Sequence, residues 1–178
     1  MEKVKDSSVL QVILQRRSIR KYTKDEIPED HIAHLIEVLR WAPSAGNCQP
    51  WHFYLVKNKQ MKYALAQAAY GQDFIAQAPI VFVICAIPKR SAVRYGKRGE
   101  TLYVYQDTAA AVQNLLLAAT GFGYGSCWVG AFDEFRISKV LQLPILQRPI
   151  AVVPIGKPAE QVQPPARLRK ENNFTLLD

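Results

Sequence analysis

Residues 80–87 read IVFVICAI, an unbroken apolar run closed by Pro79 on one side and Pro88 on the other. Its β-branched and aromatic content predicts a strand. No polar residue alternates along it, so both faces must be covered by other parts of the chain. The rest of the sequence therefore has to supply two covering layers.

Helical patterns on either side supply them. The first helix is predicted over residues 8–16, with Val9, Val12 and Ile13 on one face, Ser7 or Ser8 as its cap, and Arg16 and Arg17 where cations favour the helix dipole. A second starts near Pro28, carries Ile32, Leu35, Ile36 and Leu39 at helical spacing, and is stopped by Pro43. A strand over 53–57 and a short helix over 59–68 follow. Residues 89–99 are expected to form a basic loop, since 74–99 holds five cations and no acid. A long helix is predicted over 103–120. Between Ala109 and Ala119 its only polar residues are Gln113 and Asn114, so it belongs in a core or a subunit interface. A short strand at Cys127–Val129, a helix capped by Asp133 and reaching about Leu143, and a strand over 150–155 complete the order. This alternation predicts an α+β or α/β sandwich of helices around a sheet. With 178 residues, 49% of them apolar, one domain with a sizeable core is expected. Residues 157–178, Pro-rich and basic, are expected to form an arm that packs on a partner subunit.

The formal charge of +8 favours an anionic partner: nucleic acid, a membrane surface or a phosphorylated small molecule. Residues 108–132 carry no charge, yet Gln113, Asn114 and the glycines at 121, 123 and 125 argue for a buried helix, turn and strand rather than a membrane span. The charged start, Met1–Ser8, lacks the apolar stretch of a signal peptide. Cys48, Cys85 and Cys127 are too few and too scattered for a disulfide scaffold or a zinc site. Reduced thiols in a cytoplasmic setting are expected. The cations converge instead of forming a long aromatic-studded stripe, which argues against nucleic acid.

Three clusters are candidates for chemistry. Arg16, Arg17, Ser18 and Arg20 stand at a helix-to-loop junction, where guanidinium forks and a hydroxyl suit phosphate oxygens. The tail adds Arg167, Arg169 and Lys170, able to close over the same anion. Residues 42–51 place Pro43, Ser44, Ala45 and Gly46 beside the amides Asn47 and Gln49. Small residues let a flat ring approach the backbone, and amides pair with ring carbonyl and imide groups. Gly121, Gly123 and Gly125 precede Ser126, Cys127, Trp128 and Gly130; Gly121 is expected to end the long helix, and 125–130 to present backbone N–H groups. The spacing is not the dinucleotide fingerprint. No metal-ligand set or acid–base dyad accompanies His31, His34 and His52. Anion binding plus ring binding without acid–base machinery points to chemistry borne by a cofactor.

In order and spacing these segments resemble the FMN-dependent nitroreductase family: RRSIRKY (16–22), APSAGNCQPWHF (42–53), QDTAAAVQNLLLAA (106–119), GSCWVGAF (125–132) and RPIAVVPIGKP (148–158). The resemblance covers residues 10–170. It implies an α+β fold with a central mixed, mainly antiparallel sheet flanked by helices, and an interlocked homodimer with two FMN sites at the interface. By position, Arg16 and Ser18 hold the phosphate and ribityl, helped by Arg17, and Arg20 reaches the pyrimidine side near N1 and O2. Pro43, Ser44 and Ala45 come from the other subunit and line the dimethyl side, and Asn47 bonds the ring. Gly125, Ser126, Cys127 and Trp128 pass near the pyrimidine or N5 edge, while Arg169 and Arg167 meet the phosphate. The implied activity is ping-pong transfer of hydride from NADH or NADPH through FMN to a flat acceptor such as a nitroaromatic or quinone. Tyr95, Gly96, Lys97 and Arg98 would cover the flavin face and receive the NAD(P)H phosphates. Dehydrogenation or reductive dehalogenation of a specific metabolite, and a flavin carrier or sensor, are the alternatives. The chain is shorter than the enteric members, so their substrate preferences are not carried over.

Overall fold

Strand β2 (Ile80–Ala86) is buried at every position, as a run without polar alternation requires. Described here for residues 8–169 and 172–177, the computed structural model sets it between β1 (Trp51–Val56) and β4 (Arg148–Gly156), antiparallel to both. The short β3 (Gly125–Ser126) pairs with the end of β4, giving the order β1-β2-β4-β3. All three strand pairings are antiparallel, so the sheet is not mixed; the one parallel contact is an isolated bridge between Ser18, outside the strands, and Ser126.

Alternate residues of β2 feed two cores. Ile80, Phe82 and Ile84 pack with Leu35 and Leu39 of α2 (Glu29–Arg40) and Leu115 and Leu116 of the long helix over Val104–Gly121. Val81, Val83 and Cys85 pack on the other face with α3 (Lys59–Ala68), the one-turn helix α4 (Phe74–Gln77) and a helix over Glu134–Leu141. Burial pushes the Cys85 thiol up to about 12. In chain order the later helices are α5 (Pro88–Arg98), α6 (Val104–Gly121) and α7 (Glu134–Leu141). Two caps follow from sequence: the Asn58 side chain accepts from the Met61 N–H before α3, and that of Asp133 from the Arg136 N–H before α7. The first helix, α1 (Ser8–Gln15), packs against α6 but buries no residue, and Val9 and Leu14 stay 61% and 72% exposed.

Four elements depart from the sequence reading. Residues 89–99 are not a loop: α5 occupies most of them, with Pro88 in its first turn. Five cations in eleven residues hide this helix, because it has no apolar stripe to read. Gly96 breaks it with φ 54° and ψ −139°, and a π turn over Gly99–Tyr103 leads into α6. The strand expected at 127–129 lies instead at Gly125–Ser126, and Val129 joins β4 through a bridge to Val152. Gly121 is the last residue of α6, while Gly123 takes the left-handed turn at φ 79°. Helix α4 is too short to show a period. Ser7 and Lys170 lie outside the described residues.

The strap between α1 and α2 is stitched to the sheet. The Ile19 N–H donates to the Ser126 carbonyl at 2.9 Å, and the Tyr22 hydroxyl to the Ile19 carbonyl at 2.6 Å. The Thr23 N–H donates to Lys157 and the Ala159 N–H to Lys21, both at 2.9 Å. Beyond that stitch, residues 161–169 are exposed at every position and form neither helix nor strand. Among the described residues no helix is long and apolar enough to cross a membrane.

Candidate functional site

The strap brings Arg16, Ser18 and Arg20 to the β3 edge. The Arg16 N–H closes the last turn of α1 on the Val12 carbonyl at 3.0 Å, and Ser18 bridges to Ser126. Gly125 permits this approach, since a Cβ there would lie 2.7 Å from the carbons of Ile19. Arg17 Nη1 donates to the Leu14 and Arg16 carbonyls at 2.7 and 2.8 Å, capping α1. The Arg20 N–H donates to Glu160 Oε1 at 2.6 Å, and its guanidinium sits 6.0 Å from the Phe74 ring centroid. Among the described residues no carboxylate forms an ion pair with Arg16, Arg17 or Arg20. Arg16 and Arg17 are half-buried and Arg20 is exposed; cations without an ion-pair partner can accept an oxyanion.

Ser126 and Cys127 back this corner, and Trp128 stands 39% exposed beside it. Burial pushes the Cys127 thiol up, against the pull of Arg20, a hydrogen bond with the Ser18 side chain, and Arg16. A thiol held up in this way is not an activated nucleophile.

The second cluster is a rigid loop ahead of β1. Gly46, Asn47 and Gln49 all have positive φ, at 54°, 55° and 47°. The Ser44 hydroxyl accepts from the Gln49 N–H at 2.9 Å, and Asn47 Oδ1 from Gln49 Nε2 at 3.1 Å. Two helices hold the loop from outside. Asp107 Oδ1, on α6, accepts the Ala45 N–H at 3.0 Å; from α5, Arg90 and Arg94 donate to the carbonyls of Gln49 and Gly46 at 2.7 and 2.9 Å. Pro43 follows Ala42, which is buried under α2. The sequence reading missed Asp107, Arg90 and Arg94. Only Asp107 left a signal, as the acid that opens the uncharged stretch.

Asp107 is 6% exposed, and its Oδ2 has no partner among the described residues. Burial pushes its carboxyl up more than the Ala45 N–H pulls it down. A carboxyl raised in the folded state gives stability that is complete below its unfolded pKa and is lost as pH rises through its folded pKa. Asp107→Asn keeps an acceptor for Ala45 and removes the buried charge. In thermal melts from pH 3.5 to 8, the variant's Tm minus that of the parent should increase with pH and then level off. A difference that is flat across the range would show that the carboxyl titrates normally.

The two clusters lie at opposite corners of the sheet. Trp51, at the end of the loop, pairs with Ala86, which pairs with Arg148; Ser126 pairs with Ile155. From Arg148 to Ile155 the chain advances roughly 23 Å, and three strand spacings add about 14 Å across. The loop also adjoins the α2/α6 core, whereas Ile19 and Tyr22 of the strap belong to the other core. Among the described residues none of the loop's hydrogen bonds runs to the strap or to 125–128. The side chains of Arg167 and Arg169 bond to neither cluster, and both residues are exposed. Within one chain the strap and the loop thus lie on diagonal corners of the sheet.

Known proteins resemble this chain along most of its length. The family model described as the Nitroreductase family matches residues 13–72 and 66–157. A Thermus thermophilus protein named NADH dehydrogenase is 31% identical, with 89% of this chain aligned to 90% of that protein. A Bacillus subtilis protein named FMN reductase [NAD(P)H] is 26% identical over 93% of this chain and 72% of its own. Among solved structures, a nitroreductase family protein from Clostridium novyi NT superposes with a TM-score of 0.78 at 30% identity, covering 85% of this chain and 86% of that one.

Proposed function

The chain belongs to the nitroreductase family and is an oxidoreductase; from this premise we propose that two copies hold FMN between them and pass hydride from NAD(P)H to a flat acceptor, a nitroaromatic or quinone. The observation that carries the reading is the separation of the two clusters. A cradle on one copy and a platform on another can meet around one flavin, which no single chain can enclose.

The residues fit the group. Guanidinium groups with no ion pair among the described residues, next to a serine, suit a phosphate and ribityl chain, and the small-residue loop suits a flat ring. When bound, FMN would supply the redox chemistry, as a two-electron carrier between NAD(P)H and the acceptor. Arg16 and Ser18, helped by Arg17, would hold the phosphate and ribityl, and Arg17 also caps the end of α1. Arg20 brings positive charge to the pyrimidine side, where it favours the reduced, anionic ring. Pro43, Ser44 and Ala45 of the second copy line the dimethyl edge, and its Asn47 bonds the ring. Gly125, Ser126, Cys127 and Trp128 run along the pyrimidine or N5 edge. The arm with Arg167 and Arg169 crosses to the partner, which supports its exposure in one chain. Ordered packing takes the place of acid–base groups, so these residues bind, orient and exclude water. The single domain and its three free thiols support a cytoplasmic setting.

Purified protein should be a yellow dimer with about one FMN per chain. NADH or NADPH should bleach it anaerobically, and a quinone should restore the colour. Steady-state plots at several acceptor concentrations should be parallel, as a ping-pong sequence requires. A colourless protein that takes up no FMN on reconstitution would refute the proposal.

A further inference from the structure

Helix α5 carries Lys89, Arg90, Arg94, Lys97 and Arg98 and no acid. Like charges at i,i+4, here Arg90 with Arg94 and Arg94 with Arg98, destabilise an isolated helix. Something else must account for their concentration. Arg90 and Arg94 are part of the answer, since each spends one Nη1 hydrogen bond on a carbonyl of the loop. A guanidinium has five N–H donors, so most of those on Arg94 stay available.

The contact between α5 and the loop is close. A Cβ at Gly46 would collide with the Tyr95 hydroxyl and stand 2.7 Å from Arg94 Cζ. The cations of α5 are therefore held at a fixed offset from the surface on which the ring is proposed to lie. Beyond Tyr95 the backbone breaks at Gly96. Nothing lies within 4 Å of a Cβ built there, so glycine serves the positive φ and not a lack of space. The break takes Lys97 and Arg98 off the helical course. Arg98 Nε donates to the Tyr103 hydroxyl at 2.8 Å, and its terminal NH2 groups have no hydrogen-bond partner among the described residues. The Lys97 side chain is 83% exposed, and among the described residues its one ion pair is with Glu100, at 3.5 Å. Complementing the helix dipole would explain cations on a regular last turn, but neither Arg94 nor residues beyond a break.

We propose that Arg94, Lys97 and Arg98 receive the phosphate groups of the nicotinamide dinucleotide; this rests on the flavin reading above. The recognised chemistry is a phosphate oxyanion, from either the pyrophosphate common to NADH and NADPH or the extra 2′-phosphate of NADPH. Arg94 joins this phosphate site to the loop, and the break at Gly96 turns the two outer cations toward the incoming donor.

The test uses FMN-loaded protein and three hydride donors: NADH, NADPH and 1-benzyl-1,4-dihydronicotinamide, which has no phosphate. The double variant Lys97→Glu/Arg98→Glu should raise KM for the dinucleotides about tenfold, the scale of one charge-assisted hydrogen bond at an exposed site. The milder Lys97→Gln/Arg98→Gln should raise it less, and added salt should erode the parent's advantage. Reduction by the phosphate-free donor should change by less than about twofold. An equal rise for NADH and NADPH identifies the pyrophosphate, and a larger rise for NADPH the 2′-phosphate; both support the proposal. Unchanged KM for both dinucleotides overturns it. So do equal losses with all three donors, because the cations would then serve the ring pocket and not a phosphate. If the benzyl donor fails to bleach even the parent protein, the flavin reading itself has failed.

Discussion

Arg16→Ala is expected to weaken FMN binding by about 1.5–3 kcal/mol, roughly 10–150-fold in Kd. The size follows from what Arg16 lacks. It is half-buried at the end of α1, and among the described residues no carboxylate forms an ion pair with it. A phosphate in this corner would be its strong partner, in charge-assisted geometry. Quenching of flavin fluorescence on titration with apoprotein gives the affinity directly. Arg16→Lys should fall between parent and alanine variant, because it keeps the charge and loses the fork. An unchanged Kd in the alanine variant would move the phosphate elsewhere.

Gly46→Ala should cost about 2–4 kcal/mol and lower Tm by roughly 5–15 °C. Part of the penalty is the positive φ of 54°, which L side chains adopt with strain. The remainder is steric, since the new Cβ meets the Tyr95 hydroxyl and Arg94 on α5. Gly71→Ala separates the two contributions. Gly71 also has a positive φ, 76°, but nothing lies within 4 Å of its Cβ, so it carries only the backbone cost. The excess of the first substitution over the second measures how tightly the loop is clamped. If denaturant melts give equal losses, the loop and α5 are not in firm contact. Flavin content should fall with the Gly46 change, because the ring platform is displaced.

Much of the molecule could be read from residues in sequence. An apolar run without alternation demanded cover on two sides, and β2 is buried between two helix layers. Asp133 announced its helix, and the cap geometry is there. The grouping of Arg16, Ser18 and Arg20 was legible because they are neighbours in the chain. What stayed hidden depends on distance along it. Arg94 reaches Gly46 across 48 positions and Asp107 reaches Ala45 across 62. Side-chain bonds to remote backbone leave no local pattern. Helix α5 stayed hidden for another reason, because its residues follow charge and conformation and bury only Ser91. The separation of the clusters needed the strand order, which periodicity does not reveal.

That separation has a genetic consequence. With cradle and platform on diagonal corners, a lesion in one leaves the other intact. Consider a mixed pair in which one chain carries Arg16→Ala and the other Gly46→Ala. In the proposed dimer one pocket would collect both defects, and its twin would escape both. Two alleles, each impaired alone, would complement one another when co-expressed, and the rescued activity would come from wild-type pockets assembled from mutant chains.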